Sequence, residues 1–454
     1  MEFKKITVGN FAENLDRFRV PLSSAEREKK QGTYPYYGAA KIIDYVDGFT
    51  HSGLSVLIAE DGSVETDKGY PVVQLANGEY WVNNHTHVLK GKDDWDTLYL
   101  YYALQIIKVS PFVTGAVQKK ISQKALNSME LNYFEDPMIR RKIVETLLGL
   151  DQKIQLNTQI NQTLEQIAQT IFKSWFIDFD PVHAKAEALA NGQTAEQATQ
   201  AAMAVISGKN TQELHRLQTA NPEQYQQLWE IAEAFPSGFD EEGVPRGWES
   251  KKVGEVAKII KGKSYKSSEL APSKTALVTL KSFNRGGGYR LDGLKEYTGT
   301  YKPEQEVFAG DLIIAYTDVT QAADVIGKPA MVMSDSRYEH LVISLDVGVV
   351  RPKNEKYKYF LYCLAMTDTF QAHTHSFCTG TTVLHLGKEA VPSFEFILPD
   401  NKFIELFDEF VSPIFVRINN IIEENKSLEK IRDELLPKLL SGEIYSDGDI
   451  GTIL

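Results

Sequence analysis

The stretch that decides the fold reads LLGLDQKIQLNTQINQTLEQIAQTIFKSW, residues 147–175. Within it Leu147, Leu150, Ile154, Asn157, Asn161, Leu164, Ala168, Ile171 and Trp175 step by alternating threes and fours. That period lays one stripe along a helix, the seam of a coiled coil. Ile414, Ile418, Ile421, Asn425, Leu428, Arg432, Leu435 and Leu439 repeat the rhythm further on. The segments are related directly: Asn161-Gln-Thr-Leu164-Glu165-Gln-Ile167 returns 264 positions later as Asn425-Lys-Ser-Leu428-Glu429-Lys-Ile431. An asparagine in a seam costs stability and fixes register. Asp136-Pro137 is a helix start for the first segment, Ser412-Pro413 starts or kinks the second, and Gly442 ends it. Each helix, of roughly 36 residues, would run about 54 Å at 1.5 Å per residue.

Working outward, each helix follows a similar globular unit. Ser128-Met129-Glu130-Leu131 returns as Ser393-Phe394-Glu395-Phe396, Thr114-Gly115 as Thr379-Gly380 and Ala125 as Ala390, all at a shift of 265. The start matches more loosely, Glu2-Phe-Lys4-Lys5-Ile6 against Glu249-Ser-Lys251-Lys252-Val253. Short apolar runs bounded by turn signals predict strands at Leu54–Ala59, Tyr80–Asn83, Ala276–Leu280, Asp311–Tyr316, Ala330–Met333 and Ser344–Val350. Leu98–Ile107 reads as a buried helix. The expected fold class is α+β: two similar mixed α/β units separated by two long helices that pair as an antiparallel coiled coil. The expected divisions are 1–136, the central helix 137–181, an Ala/Gln/Glu-rich helical spacer 182–247, 248–400, and the distal helix with the C-terminal tail 401–454.

Composition bounds the function. The net charge of −12 hides a split. Residues 251–302 hold 12 Lys/Arg against 4 Asp/Glu, while 185–250 hold 4 against 10 and 401–454 hold 6 against 11. Lys108, Lys119, Lys120 and Lys124 stand in 108–124 with no acid among them. Local patches of this kind are what a phosphate backbone feels. Two cysteines, Cys363 and Cys378, cannot build a disulfide framework, and no apolar run is long enough to span a membrane. A cytoplasmic protein is expected.

No catalytic signature survives inspection. Gly262-Lys263-Ser264 mimics the end of a phosphate-binding loop, but its first glycine would fall at Ala257. His85-x-His87 and His373-x-His375 could each place two imidazoles on one face of a strand, half of a metal site, yet no third ligand is evident in both copies. No metal site is expected. The duplicated loops are more informative. Thr114, Gly115, Gln118, Lys119 and Lys120, with Lys124 beyond, correspond to Thr379, Gly380, Thr381, Thr382 and His385. Hydroxyls, amides and lysines donate to phosphates and base edges, and glycine lets the backbone approach. Lys261, Lys263, Ser264 and Lys266, then Lys281 and Arg285, add basic loops; Tyr36, Tyr37 and Lys41 complete the candidate contacts.

With these residues assembled, the chain resembles the specificity subunits of type I DNA restriction-modification systems. Leu150-Asp151-Gln-Lys153-Ile154, Asn157, Asn161, Leu164-Glu165 and Phe172-Lys-Ser-Trp175-Phe176-Ile-Asp178-Phe179-Asp180-Pro181-Val182 are similar to that family's central conserved helix. Leu428-Glu429 to Leu435-Leu436-Pro437-Lys438-Leu439-Leu440-Ser441-Gly442 resembles its second, and Val244-Pro245-Arg246-Gly247-Trp248 the entry to the second target-recognition domain. The resemblance implies a non-enzymatic reader of a bipartite double-stranded DNA target. It implies two methyltransferase (modification) subunits and restriction motor-nuclease subunits as partners. S-adenosylmethionine, ATP and Mg are then expected on those partners and no cofactor on this chain. A coiled-coil scaffold without DNA recognition is the alternative; it fits the helices equally and leaves the basic loops unexplained.

Overall fold

Two helices of equal length organise the chain, Pro137–Phe176 and Asn401–Leu440. Both ends of the second lie 264 positions beyond those of the first, the shift already carried by the seam. The computed structural model describes residues 3–115, 118–319 and 323–444. Glu2, Ala116 and Val117 of the repeat, and the tail 445–454, fall outside the described residues. The Asp136 carboxylate accepts the Met138 N–H at 2.8 Å, and Asp400, its counterpart, accepts the Lys402 N–H at 3.0 Å. The expectation that Ser412-Pro413 starts the distal helix is thereby corrected: the helix starts at Asn401 and runs on through Pro413.

The chain divides into two compact units, 1–156 with 425–454, and 157–424. Each holds one globular copy and part of both long helices. In the first, Ile143 and Leu147 of the central helix share a core with Leu435, Leu436 and Leu439 of the distal one. Arg432 meets Asp151 at 2.8 Å, and the Asn425 side-chain N–H donates to the Ile154 carbonyl at 3.4 Å. In the second, Phe172 packs 5.8 Å from Phe407, and Asn161 donates to the Ile418 carbonyl at 3.4 Å. Early residues of one helix meet late residues of the other, so the pair is antiparallel. The two asparagine bonds are equivalent under the 264 shift. Leu150, Ile154, Asn161, Leu164, Ile171, Ile421, Asn425, Leu428 and Leu435 are all buried or half-buried.

The globular copies share one topology. In the first, a four-stranded antiparallel sheet runs in the order Glu13–Asn14, Thr86–Lys90, Ser55–Ala59, Val73–Ala76. Its counterpart runs Ala257–Lys261, Val347–Pro352, Leu312–Ala315, Pro329–Met331. A further sheet in the first copy, Ile42–Val46, Gln31–Tyr37, Glu79–Val82, His51–Ser52, contains one parallel pairing in its middle. So does its counterpart, Lys295–Glu296, Thr275–Val278, His340–Ile343, Glu306–Val307. Each copy is closed by a two-stranded ribbon joining its start to its end. Lys4–Thr7 pairs with Glu130–Tyr133, and Glu249–Lys252 with Glu395–Leu398. Thr7 faces Glu130 where Lys252 faces Glu395, so the match of Lys4 with Lys251 is two residues out of register. A slip of two keeps every side chain on its own face, which is why the pattern still looked right.

The helix expected at Leu98–Ile107 runs Asp94–Leu104, because the Asp93 carboxylate caps the Asp96 N–H at 2.8 Å. The spacer is four helices, Asp180–Ala190, Ala195–Ser207, Thr211–Ala220 and Pro222–Ala234. It belongs to the second unit's core: Trp175 packs 5.4 Å from Phe235, which lies 4.7 Å from Phe403. Lys185, buried, donates to the carbonyls of Ala232, Glu233 and Phe235, closing the end of the last spacer helix.

Candidate nucleic-acid interface

The duplicated loop is a β-hairpin in both copies. Val113–Thr114 pairs with Lys120–Ile121, and Cys378–Thr379 with Leu384–Leu386. Thr114 donates its hydroxyl to the Lys120 carbonyl at 3.3 Å, and Thr379 to the equivalent His385 carbonyl at 3.4 Å. Gly115 and Gly380 adopt φ of 89° and 107°. A Cβ at either would overlap the carbonyl oxygen three residues on, Gln118 or Val383. Glycine is therefore required by the turn itself, and the side chains of the loop are left free to differ.

Each hairpin is anchored to the same place on its sheet. In the first copy the Ile121 N–H donates to the Glu60 carbonyl at 2.8 Å, and the Glu60 N–H to the His85 carbonyl at 2.9 Å. In the second the Leu386 N–H donates to the Tyr316 carbonyl at 2.9 Å, and the Tyr316 N–H to the Asp346 carbonyl at 2.7 Å. The chemistry beneath the two hairpins is different. Under the first, Arg19 pairs with Glu60 at 2.6 Å and Asp16 at 3.4 Å, and His87 meets Asp16 at 2.6 Å and the Ile121 carbonyl at 2.8 Å. Burial works to raise the Asp16 and Glu60 carboxyls. The hydrogen bonds they accept, from His87 and Val88 to Asp16 and from Arg19 and Lys120 to Glu60, outweigh it, so both lie below the usual carboxylate range. Under the second, Lys261 sits over the Tyr316 ring at 4.9 Å, and Gly348 leaves room for that ring.

Asp16, Glu60 and His87 have ligand atoms within 4.8 Å of one another, a spacing a metal ion could use. Arg19, and Lys120 at 3.0 Å from Glu60, already supply the cations there. The cluster is an ion-pair network that holds a hairpin. The two His-x-His pairs are corrected by the structure. His373 and His375 lie on the helix Asp368–Ser376, where positions two apart do not share a face. His85 stands in a turn bonded to Asp61 at 2.8 Å, while His87 is buried in its strand.

Other candidates separate cleanly. Gln118, Lys119, Lys120 and Lys124 are exposed around the first hairpin, as are Thr379, Gly380, Thr381, Thr382 and His385 around the second. Lys119 is paired with Glu65, so the acid-free run 108–124 meets acids from elsewhere in the chain. Lys261 and Ser264 are exposed and Lys263 half-buried; Lys261 lies over Tyr316, whose carbonyl anchors the second hairpin, and the Leu345 N–H donates to the Lys263 carbonyl at 2.8 Å. Lys266 begins the next short turn, with its N–H on the Glu269 carboxylate at 2.6 Å. Arg285 is exposed and 3.6 Å from Asp324; Lys281 lies exposed on the turn Leu280–Ser282. Lys41 is exposed on the turn between Gln31–Tyr37 and Ile42–Val46. Tyr36 and Tyr37 are removed from the candidate contacts. Tyr36 is 1% exposed, with its hydroxyl accepting the Leu22 N–H at 2.9 Å, and Tyr37 packs edge-on to Tyr80 at 5.7 Å. Asp16, Arg19 and Glu60 were not singled out from sequence. Of the cluster only His87 carried a local signal, as part of His85-x-His87.

Among the described residues no helix is long and apolar enough to cross a membrane. Comparison with known proteins gives the geometry a context. The profile of the family described as "Type I restriction modification DNA specificity domain" matches residues 2–166 and 245–424, one segment on each copy. The chain is 34% identical over 338 residues to the type I restriction enzyme HindI specificity subunit of Haemophilus influenzae, covering 72% of this chain and 71% of that one. It is 24% identical over 408 residues to the type I restriction enzyme MjaIX specificity subunit of Methanocaldococcus jannaschii, covering 86% and 79%. A crystal structure of the S subunit of the type I restriction-modification system from M. genitalium aligns at a TM-score of 0.49 and 15% identity, covering 97% and 96%.

Proposed function

Because this chain belongs to the DNA specificity subunits of type I restriction-modification systems, we propose that each of its hairpin ends reads one half of a split double-stranded target. The observation that carries this is the duplicated hairpin: one pairing pattern, required glycines at Gly115 and Gly380, and different side chains beyond them, Gln118 and Lys119 against Val383 and Leu384. Two readers of one design with different contacts are what a bipartite, asymmetric target needs. Lysines beside the hairpins would supply salt-dependent phosphate contacts, and the loop side chains would contact base edges. The long helices would hold partner proteins: two modification subunits, with restriction motor-nuclease subunits joining them. On this reading S-adenosylmethionine, ATP and Mg act on those partners, and this chain contributes recognition rather than catalysis.

The test is selection of a randomised duplex library by this chain co-purified with its modification subunits, followed by sequencing. Two short motifs at fixed separation are expected. Recovery of an unenriched pool, at a salt where the complex stays assembled, overturns the proposal.

A further inference from the structure

The equivalences between the two hairpin ends can be carried to single side chains. In the second copy Asp318 pairs with Leu384, which puts Val319 opposite Val383 at the next position outward. In the first, Asp61 bridges to Lys120 and the Gly62 N–H donates to the Lys119 carbonyl at 3.0 Å, so Ser63, in the turn closed by the Val64 N–H on the Gly62 carbonyl, is the next residue toward the Gln118 end. Asp346 and His85 occupy the same place in the sheet, so Leu345 corresponds to Asn84. Ser63, Asn84 and Gln118 are exposed and polar. Val319, Leu345 and Val383 are apolar, yet 69%, 52% and 37% exposed.

A lone exposed aliphatic residue needs no explanation, but three at one end of a domain mark a contact surface. The charges around them indicate what is contacted. Lys263 is bonded through its carbonyl to Leu345, Lys261 lies over Tyr316, whose carbonyl anchors the hairpin, and His385 is exposed on the hairpin. The Asp318 carboxylate is turned inward on the N–H groups of Val325 and Ile326, at 2.7 and 3.1 Å. Lysines beside exposed aliphatic side chains suit the DNA major groove, where the one apolar mark on a base edge is the 5-methyl group of thymine.

We propose that the second copy recognises thymine in its half of the target by van der Waals contact of Leu345 and Val383, with Val319 beside them, on the 5-methyl group. The first copy, with Ser63, Asn84 and Gln118 at the same positions, reads its half through hydrogen bonds. This rests on the reading that the hairpin ends face DNA, and the experiment separates the two claims.

The full chain in complex with its modification subunits is bound to its selected duplex, with thymine replaced by deoxyuridine in one half at a time. Removing a contacted methyl is expected to weaken binding about fourfold per methyl, the worth of one buried methyl-sized group. The loss is confined to the half whose preference changes in Val383→Ser or Leu345→Ser. Those two exposed substitutions are expected to abolish discrimination between thymine and uracil. A selected half without thymine, or variants that weaken thymine and uracil duplexes equally, overturns the methyl-contact proposal and leaves the hairpin on DNA. If Val383→Ser, Leu345→Ser and Gln118→Ala all leave affinity and both half-sequences unchanged, the hairpin ends are not the DNA face and both claims fail.

Discussion

At the scale of single residues, the hairpin glycines and the ion pairs beneath them make opposite kinds of demand. Gly115 and Gly380 are required by backbone shape, so Gly115→Ala or Gly380→Ala is expected to cost about 1–3 kcal/mol locally. The matching half-sequence preference should relax while the other half stays sharp, as library selection with each variant would reveal. Asp16 and Glu60 are required by charge. Their carboxyls are held below the ordinary range, so their contribution is complete above the unfolded values of 3.8 and 4.5 and is lost as pH falls through the lower folded values. Hydrogen-exchange protection at residues 1–135, taken relative to the intrinsic amide rate at each pH, should therefore fall as pH drops from about 5 to about 3. Asp16→Asn, which takes the carboxylate from His87 and leaves Arg19 with Glu60 alone, should cost about 2–3 kcal/mol at pH 7 and converge with the parent chain at the acid end. A pH-independent penalty would mean that Asp16 acts only by shape. The glycines were legible in the sequence because Thr-Gly repeats at a constant shift. The ion pairs were not: Arg19 reaches Glu60 across 41 positions and His87 reaches Asp16 across 71, and no local window contains both partners. Tyr36 and Tyr37 misled for a related reason, since exposure of an aromatic beside proline and glycine is decided by what packs over it.

At the scale of elements, the long helices were the most legible part of the chain. A seam stepping by threes and fours survives in sequence because every position faces the same partner. Pro413 shows the limit of that reading, since it offered a second start inside the segment expected from 401. Proline inside a helix removes a hydrogen bond and usually breaks it, at about 3 kcal/mol. Here the helix continues past Pro413 with Val411 and Phe415 buried on either side. Asn161 and Asn425 are each tied to a carbonyl at 3.4 Å, and the Asn161 side-chain oxygen is buried without a hydrogen-bond partner. An amide held that weakly contributes little net stability. Asn161→Leu is expected to stabilise the second unit by about 1 kcal/mol, read as slower hydrogen exchange in 160–175. A loss of stability instead would show that the Ile418 bond outweighs the unpartnered oxygen.

At the scale of the whole molecule, duplication explains why so much of the fold could be read from one chain. Each copy serves as a comparison for the other, so the repeat of Ser128–Leu131 as Ser393–Phe396 marks one place in both, where the ribbon strands Glu130–Tyr133 and Glu395–Leu398 begin. The same equivalence sharpens the question of what sets the gap between half-sequences. The bonds from Asn161 to Ile418 and from Asn425 to Ile154 bracket 155–160 on one helix and 419–424 on the other. Lengthening one helix alone would pull one asparagine away from its carbonyl. Inserting one heptad after Asn157 and another after Ile421 places the additions opposite each other and preserves both bonds and the seam. If the helices act as the ruler, the selected target should keep both half-sequences while its gap grows. Seven residues add about 10.5 Å, or about three base pairs at 3.4 Å each. An unchanged gap in the sequenced pool would show that DNA bending or the partner subunits set the spacing, and altered half-sequences would show that the insertion reached the readers themselves.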